Sequence, residues 1–265
     1  MSAELIRAGF DMVEADAPGK RIIYVPVDDW IDAAILSMLG RTERPTSLYT
    51  TDDQLVAWAG NRDPAQCEAK MVTQAPVFSI RYPWDLLKLN DSILRQITDS
   101  EVKGTVSHLA EIDGTLQLGS GSKILPGTFI EGNVVIGRNC RIGPNCHIRG
   151  TVSIGDHCSI GNGAEIKNSI IYPHSSVAHY GYVGDSILGA HVHLGAGTVI
   201  SNARHDGMRH RSSVEGKLVD TGRYKFGTII GDGVRTGVNT VILPGRKIGR
   251  GRTTRPGMIV ETDLM

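Results

Sequence analysis

Hydrophobic positions recur every six residues through the middle of the chain. Steps of six from Val106 meet eleven aliphatic residues without a break, ending at Ile166. The next residue is often Gly, and the residue four positions on is usually small or β-branched. Such hexads predict a left-handed parallel β-helix, in which each short strand buries one aliphatic side chain before a corner. Three hexads make a coil, so residues about 18 apart should stack at about 4.8 Å.

The hexad phase changes between Ile166 and Leu188 and then resumes as far as Val260. We expect an irregular segment that includes residues 172–186 to absorb this change. Residues 201–226 are polar and interrupt the repeat, so they predict a long loop outside the coil. Insertions in solenoid proteins commonly lie on the binding face.

The first hundred residues follow other patterns. Residues 21–27 (RIIYVPV) predict a strand, and residues 29–39 predict a helix that Asp28 or Asp29 caps. Helical spacing predicts a second helix, which we expect to cover the open edge of the first coil; its apolar positions are Leu86, Leu89, Ile93 and Ile97.

We therefore expect a mainly β protein in three parts. Residues 1–82 form a small α/β region, residues 83–104 a capping or linker helix, and residues 105–265 the β-helix domain with its loop at 201–226. The N-terminal region is interpreted as a remnant of a larger domain, a cap or a docking surface.

Charge and composition narrow the class of protein. Lys plus Arg equals Asp plus Glu at 28 each, so no global field favours nucleic acid or an anionic membrane. The chain start has no signal-peptide pattern and no apolar run is long enough to span a membrane, so we expect a cytoplasmic protein. Three cysteines fall in the small-residue slot of the hexads and are expected to be buried and reduced: Cys140, Cys146 and Cys158.

The 18-residue stack places charged residues in one outward column. Glu131, Arg149 and Lys167 share a slot on three successive coils. Two cations about 5 Å apart repel each other unless an anion lies near them. The column therefore indicates either a phosphate site or a solvated ladder that Glu131 compensates.

Several histidines lie close together near the break in the repeat. His179 lies in AHYGYVGDS between glycines and tyrosines, which suits a general base near neutral pH, although a surface histidine without function is the alternative. The loop is basic, so it either closes over an anionic substrate or is simply exposed; its cations are Arg204, Arg209, Arg211, Lys217, Arg223 and Lys225.

Three ordered motifs resemble a known family. They are AHYGYVGDS (residues 178–186), LGAGTVIS (194–201) followed by Asn202, and GTIIGD (227–232) followed by TGVNTVILPG. This set resembles the acetyltransferase half of bifunctional glucosamine-1-phosphate acetyltransferase/N-acetylglucosamine-1-phosphate uridylyltransferases, particularly the archaeal-type sugar-1-phosphate enzymes. The resemblance covers about residues 80–260.

The resemblance implies an activity and a site. It implies direct acyl transfer from acetyl-CoA, as co-substrate, to the amine of a hexosamine 1-phosphate, with glucosamine 1-phosphate foremost, in a homotrimer with active sites between subunits. His179 would be the catalytic base. The other implied positions are Arg149 and Lys167 for the sugar phosphate, Tyr182 and Asn202 for substrate contacts, the Ala196 N–H as oxyanion donor, and Val238 in the acetyl-CoA channel.

The sequence also departs from the family pattern. His193 replaces an Asn that faces substrate or cofactor, and Met208 and Arg211 stand near positions where archaeal-type enzymes bind phosphate with Lys. In residues 1–104 no two glycines lie together, so no Gly-rich phosphate cradle is present in that stretch. We expect no nucleotidylyltransferase activity from this chain alone.

Two other functions remain open. One is a non-catalytic scaffold or regulator of a separate sugar nucleotidylyltransferase. The other is a zinc site like that of γ-class carbonic anhydrases, for which His174 and His179 have the spacing, although Arg138 stands where the third histidine would be.

Overall fold

The computed structural model describes residues 10–14, 22–26, 29–31, 33–60, 64–74 and 77–265. The chain divides into two compact units, Met1–Asp85 and Leu86–Met265.

Among its described residues, the first unit contains a five-stranded sheet and the helix Ala33–Gly40. All neighbouring strands are antiparallel except the last pair, which is parallel. In sheet order the strands are Phe10–Glu14, Ile22–Pro26, Leu55–Ala59, Thr46–Thr50 and Ala69–Thr73. A 3-10 turn covers Pro64–Gln66. Aliphatic side chains from the sheet and the helix form the core, among them Ile23, Leu39, Leu48 and Val56.

The predictions for this unit need one correction. The strand is present at Ile22–Pro26, while Arg21 and Val27 lie outside the described residues, as does Asp28. The helix begins at Ala33 and not at residue 29. Asp29–Trp30 instead forms a short antiparallel ladder with Phe78–Ser79, so Asp29 lies in a strand four residues before the helix and is not its cap.

The second unit confirms the predicted parallel β-helix, with about nine coils. Aliphatic residues of successive coils stack in register, as Ile130, Ile148 and Ile166 do, and these three are fully buried. The three cysteines of the small-residue slot are buried and free, as predicted. One narrow aliphatic core therefore runs along the coil axis.

The strands of the coil are short and parallel. Three strands are longer because they pass through a glycine corner: Glu111–Leu118, Phe129–Ile136 and His147–Ile154. The others are Glu101–Val102, Thr105–Val106, Lys123–Ile124, Arg141–Ile142, Ser159–Ile160, Glu165–Lys167, Ile170–Ile171, Ser176–Val177, Tyr182–Gly184, Ile187–Leu188, His193–Leu194, Val199–Ile200, Thr228–Ile230, Val241–Ile242, Arg246–Ile248 and Ile259–Val260.

The expected irregular segment at residues 172–186 is wrong, because this part of the chain forms regular coils. The repeat changes phase through two corners that are each one residue short. Ile154 pairs with Ile171 and Ile171 with Leu188, so the coil step falls from 18 residues to 17. The short corners follow Ile166 and Val183, directly above one another.

The helix Asp85–Arg95 does not contact the coils in the predicted way. Its Asn90 Nδ2 donates to the Thr151 carbonyl at 3.3 Å, and Asn133 Nδ2 donates to the Leu94 carbonyl at 3.0 Å. These bonds place residues 90–94 along the flank of the coils, whereas strand Glu101–Val102 pairs with the first coil. Neither described α-helix is long and apolar enough to cross a membrane.

The insertion leaves the coil after Ile200, and the coil resumes at Thr228. It contains an antiparallel hairpin, Arg211–Val214 with Lys217–Asp220. Its two ends meet, since Phe226 N donates to the Asn202 carbonyl at 2.9 Å. The insertion is therefore a closed excursion from one corner of the coil.

A test of the glycine corner uses two glycines that both have positive φ. Gly132 has a φ of 98°, and an added Cβ would lie 2.6 Å from the Gly150 carbonyl oxygen. Gly251 has a φ of 69° and nothing within 4 Å. We expect Gly251→Ala to cost about 1 kcal/mol of unfolding free energy and Gly132→Ala about 3 kcal/mol, measured by urea denaturation. Equal losses would show that coil stacking tolerates a methyl group at this corner.

Candidate functional site

The predicted charged column is present on the coil surface. Glu131 pairs with Arg149, and Arg149 pairs with Lys167, across adjacent parallel strands. Each of the two cations lies near an acid other than Glu131: Arg149 contacts Glu165 Oε1 at 2.7 Å, and Lys167 Nζ lies 3.9 Å from Asp185 Oδ2. The hydrogen bond to Glu165 raises the pKa of Arg149. Glu131 is therefore not the group that compensates the two cations.

Asp185 is the centre of a polar cluster in the second short corner. It has a left-handed φ of 49° and its side chain is 3% exposed. Asn202 Nδ2 donates to Oδ2 at 2.6 Å and Asn168 Nδ2 to Oδ1 at 3.4 Å. Arg223 NH2 lies 3.7 Å from Oδ1. Two amides and two cations thus surround one buried carboxylate. Together with Tyr182, whose contact is described next, we call four of these residues the Asp185 cluster: Lys167, Asp185, Asn202 and Arg223.

Tyr182 joins this cluster through its phenol oxygen. Asn202 Nδ2 donates to Tyr182 Oη at 3.1 Å. Burial raises the pKa of Tyr182, and the negative charges of Glu165 and Asp185 act in the same direction. The phenol is therefore neutral near pH 7, and its O–H is a donor for a bound ligand.

His179 lies at another corner, where a second column forms. Tyr180 N donates to the Asn162 carbonyl at 2.9 Å, Gly197 N to that of His179 at 2.8 Å, and Asn239 N to that of Ala196 at 2.7 Å. These bonds stack Asn162, His179, Ala196 and Val238 on successive coils. We call this set the His179 column. His179 and Ala196 are 17 positions apart in the sequence, and Ala196 and Val238 are 42 positions apart.

The middle of this column has an unused donor. Ala196 is partly exposed, and its N–H has no hydrogen-bond acceptor among the described residues. His179 is exposed beside it, and Val238 is 49% exposed above it. A histidine, a residue with a free N–H and an apolar residue therefore stack in one row of exposed or partly exposed positions.

One face of the coil connects the two corners. The strand Tyr182–Gly184 runs from the corner of His179 to that of Asp185, a length of about 10 Å. Arg149 and Lys167 point outward from the same face on the two preceding coils. The fold thus assembles most of the predicted site residues on one face and at its two ends.

Two predicted residues lie elsewhere. His193 is exposed on the face that enters the His179 corner, where its Nδ1 is 2.7 Å from Ser176 Oγ. Arg211 lies on the hairpin of the insertion and lines a cavity of about 630 Å³ together with Met208 and Arg246. In the described residues Arg211 has no hydrogen bond or ion pair with the Asp185 cluster.

Sequence reasoning missed Glu165 and Asp185, and it noted Arg223 only as one cation of the basic loop. Asp185 belongs to a motif that was noted, but its position in the stack depends on the 17-residue steps. Glu165 is two residues before Lys167, and its pairing with Tyr182 depends on the same steps. Arg223 reaches the cluster only through the return of the insertion, which no repeat indicates.

The histidines of one chain are not grouped as a zinc site would need. One corner carries a stack of three imidazole rings, with centroids 4.8 Å apart and nearly parallel planes: His157, His174 and His191. This corner precedes the strand Ser176–Val177, whereas His179 lies in the corner that follows it. His174 and His179 therefore belong to different corners. No group of three metal-binding side chains is found in the part of the chain that the structure describes.

Comparison with known proteins shows what this chain is similar to. The family model described as the GMPPB C-terminal domain matches residues 130–250. A bifunctional sugar-1-phosphate nucleotidylyltransferase/acetyltransferase of Sulfurisphaera tokodaii is 38% identical over 182 residues, which are 69% of this chain and 45% of that relative. The chain is homologous to one part of these bifunctional enzymes. The expected resemblance to their acetyltransferase half is confirmed, since the match covers only the C-terminal part.

Other relatives give the same picture. A bifunctional protein GlmU of Methanococcus maripaludis strain C7 is 44% identical over 185 residues, 70% of this chain and 44% of that relative. The chain thus spans less than half the length of the curated relatives it matches. Among solved structures, the polysialic acid O-acetyltransferase OatWY has 18% identity and a TM-score of 0.34, covering 63% of this chain and 80% of that one.

The insertion carries a buried histidine. His210 is 2% exposed and packs edge-on against Phe226, with ring centroids 6.2 Å apart. Burial lowers the pKa of His210 below the ordinary value of 6.5. The unfolded imidazole therefore binds a proton more readily than the folded one, and this contribution to stability is complete above pH 6.5 and declines at lower pH.

We expect wild-type protein to lose thermal stability between pH 7.5 and about 5.5 and His210→Gln to lose less, because glutamine does not titrate. The measurement is the thermal midpoint at the two pH values. His205→Gln is the control, since His205 is exposed in the same insertion and should behave as wild type. An identical loss in His210→Gln and wild type would contradict the assignment.

Proposed function

We propose that the protein is an acetyl-CoA-dependent N-acetyltransferase that acts on a hexosamine 1-phosphate, with glucosamine 1-phosphate as the first substrate to test. The observation that carries this proposal is the His179 column, in which the exposed residue His179 stacks on Ala196, whose N–H has no acceptor among the described residues. The homology to bifunctional sugar-1-phosphate enzymes supports the choice of substrate class.

The proposed reaction needs no acyl-enzyme. The sugar amine attacks the thioester carbonyl, the C–N bond forms, and the C–S bond breaks to release the thiol of CoA. His179 accepts the proton that the amine loses and returns it to the departing sulfur. The Ala196 N–H donates to the oxyanion of the tetrahedral intermediate, an interaction worth about 3 kcal/mol in comparable sites.

The cations of the adjoining face hold the sugar phosphate. Arg149 and Lys167 lie on adjacent strands, so their side chains reach one anion together. Glu165 and Asp185 keep both cations in place while the site is empty. Tyr182 contacts the sugar, and the fixed phosphate aligns the amine with the thioester.

Acetyl-CoA fits the other side of the His179 column. Val238 is apolar and half exposed, and it stacks on Ala196, so it provides a surface for the acyl chain next to the oxyanion donor. His193 faces the co-substrate from the adjoining face, and Arg211 contributes charge from the insertion. Exposed apolar side chains of the last coils support the homotrimer that the resemblance implies: Val199, Leu243 and Ile259.

The alternative is a non-catalytic partner of a separate sugar nucleotidylyltransferase. His193, in place of an Asn of the family pattern, favours this second candidate. The two candidates differ in one observable property, which is the release of free CoA thiol.

The decisive assay mixes the protein with acetyl-CoA and a panel of amino-sugar 1-phosphates and follows free thiol. We expect turnover with at least one sugar, and a loss of about 100-fold or more in kcat for His179→Ala, because the general base is removed. His108→Ala is the control, since His108 is exposed on the first coil. No thiol release with any sugar would reject the acetyltransferase and favour the non-catalytic partner.

A second prediction tests the phosphate site. We expect Lys167→Met to raise KM for the amino-sugar 1-phosphate by about 10-fold to 100-fold, because a charge-assisted contact is lost. The KM for acetyl-CoA and the slow reaction of the amino sugar without phosphate should stay unchanged. Lys123→Met, on an exposed position of another face, is the matched control. A rise in KM for both sugars alike would place Lys167 away from the phosphate.

A further inference from the structure

The geometry points to a role for Asp185 beyond that of the residues named above. Asp185 is a positioning residue that closes the mouth of the insertion and fixes the orientation of the Asn202 amide. The kinetic consequence rests on the proposed acetyltransferase function, whereas the closure of the insertion does not.

The first observation is that Asp185 contacts both ends of the insertion. Asn202, at its start, donates from Nδ2 to Asp185 Oδ2 at 2.6 Å. Arg223, near its end, lies 3.7 Å from Oδ1. The backbone repeats this pattern, because Gly227 N donates to the Asp185 carbonyl at 2.9 Å. One residue of the preceding coil thus ties the start and the end of the excursion together.

The second observation concerns the Asn202 amide. A carboxylate only accepts hydrogen bonds, so the amide group that faces Asp185 must be Nδ2 and not Oδ1. The second N–H of Nδ2 is used by Tyr182 Oη at 3.1 Å. No described residue donates to Asn202 Oδ1. Asp185 therefore leaves the amide oxygen as an acceptor for a substrate hydroxyl or ammonium group.

The third observation is charge. Lys167 Nζ lies 3.9 Å from Asp185 Oδ2, and Arg223 approaches the other oxygen. One buried carboxylate therefore faces two cations, and Arg223 also lowers the pKa of Asp91, so it links the cluster to the helix Asp85–Arg95. Because Asp185 is only 3% exposed, water screens these contacts weakly, and their directions are well defined.

The backbone of the short corner makes this arrangement possible. Gly184 precedes Asp185, and an added Cβ there would lie 2.6 Å from both Asn202 Nδ2 and Tyr182 Oη. Only a residue without a side chain lets these two groups reach each other and Asp185. In this corner Gly184 leaves space for the side chains of Asn202 and Tyr182, and Asp185 supplies the carboxylate.

The test variant is Asp185→Asn, which keeps the shape of the side chain and removes its charge. An asparagine offers both a donor and an acceptor, so the Asn202 amide is free to flip. We expect KM for the amino-sugar 1-phosphate to rise about 10-fold to 100-fold, with KM for acetyl-CoA unchanged. Trypsin should also cut within residues 203–225 faster than in wild type.

The matched control is Asp156→Asn. Asp156 accepts from the Arg138 backbone at 2.7 Å and from its guanidinium at 2.7 Å, at a different corner. It should change neither KM nor the cutting rate. If Asp185→Asn lowers the thermal midpoint but leaves both KM values and the cutting rate at wild-type levels, Asp185 is only structural and the inference is wrong.

Failure of the proposed function gives a separate result. If wild-type protein releases no thiol with any sugar, the acetyltransferase proposal fails, and the trypsin experiment then decides the role of Asp185. Faster cutting in Asp185→Asn than in Asp156→Asn supports closure of the insertion. Equal cutting in the two variants overturns it.

Discussion

The structure depends on the hydrogen-bond ladder between successive coils. Each coil donates to the one beside it, so a residue keeps the outward direction of its neighbour in the stack. The aliphatic core follows from this, since Ile130, Ile148 and Ile166 occupy one buried slot. The surface columns also follow from this ladder, because a fixed register brings residues one coil apart in the sequence into contact. The candidate site is a product of this register.

The hexad pattern predicts the core and the charged column because both depend only on a constant step. It fails where the step changes, and two corners that each lack one residue were interpreted as an irregular segment. The helix Asp85–Arg95 was predicted from apolar spacing, but its buried residues are Leu87, Leu89 and Leu94, and polar contacts from Asn90 and to Leu94 join it to the coils. Hydrophobic periodicity contains no information about such contacts.

The candidate site divides in the same way. Arg149 and Lys167 were predicted from the stack, and His179, Ala196 and Val238 from resemblance alone. The structure brings the last three into one column across an insertion that separates Ala196 from Val238. Glu165 was missed because its ion pair with Arg149 joins neighbouring slots of adjacent strands, which a column of equivalent positions does not reveal. Asp185 was missed because its contact with Lys167 depends on the shortened corners.

The shortened corners also give a physical reason for where the site lies. A corner with one residue fewer turns more tightly, and in the second of them Asp185 takes a left-handed conformation with its carboxylate buried. A buried carboxylate needs donors, and the nearest ones come from the next coil and from the returning insertion. The insertion leaves the coil one turn later, next to Asn202, and the donors are Asn202 at its start and Arg223 near its end. These three features therefore form one arrangement. The short corner buries the Asp185 carboxylate, and the buried carboxylate is stabilised by donors from the two ends of the insertion.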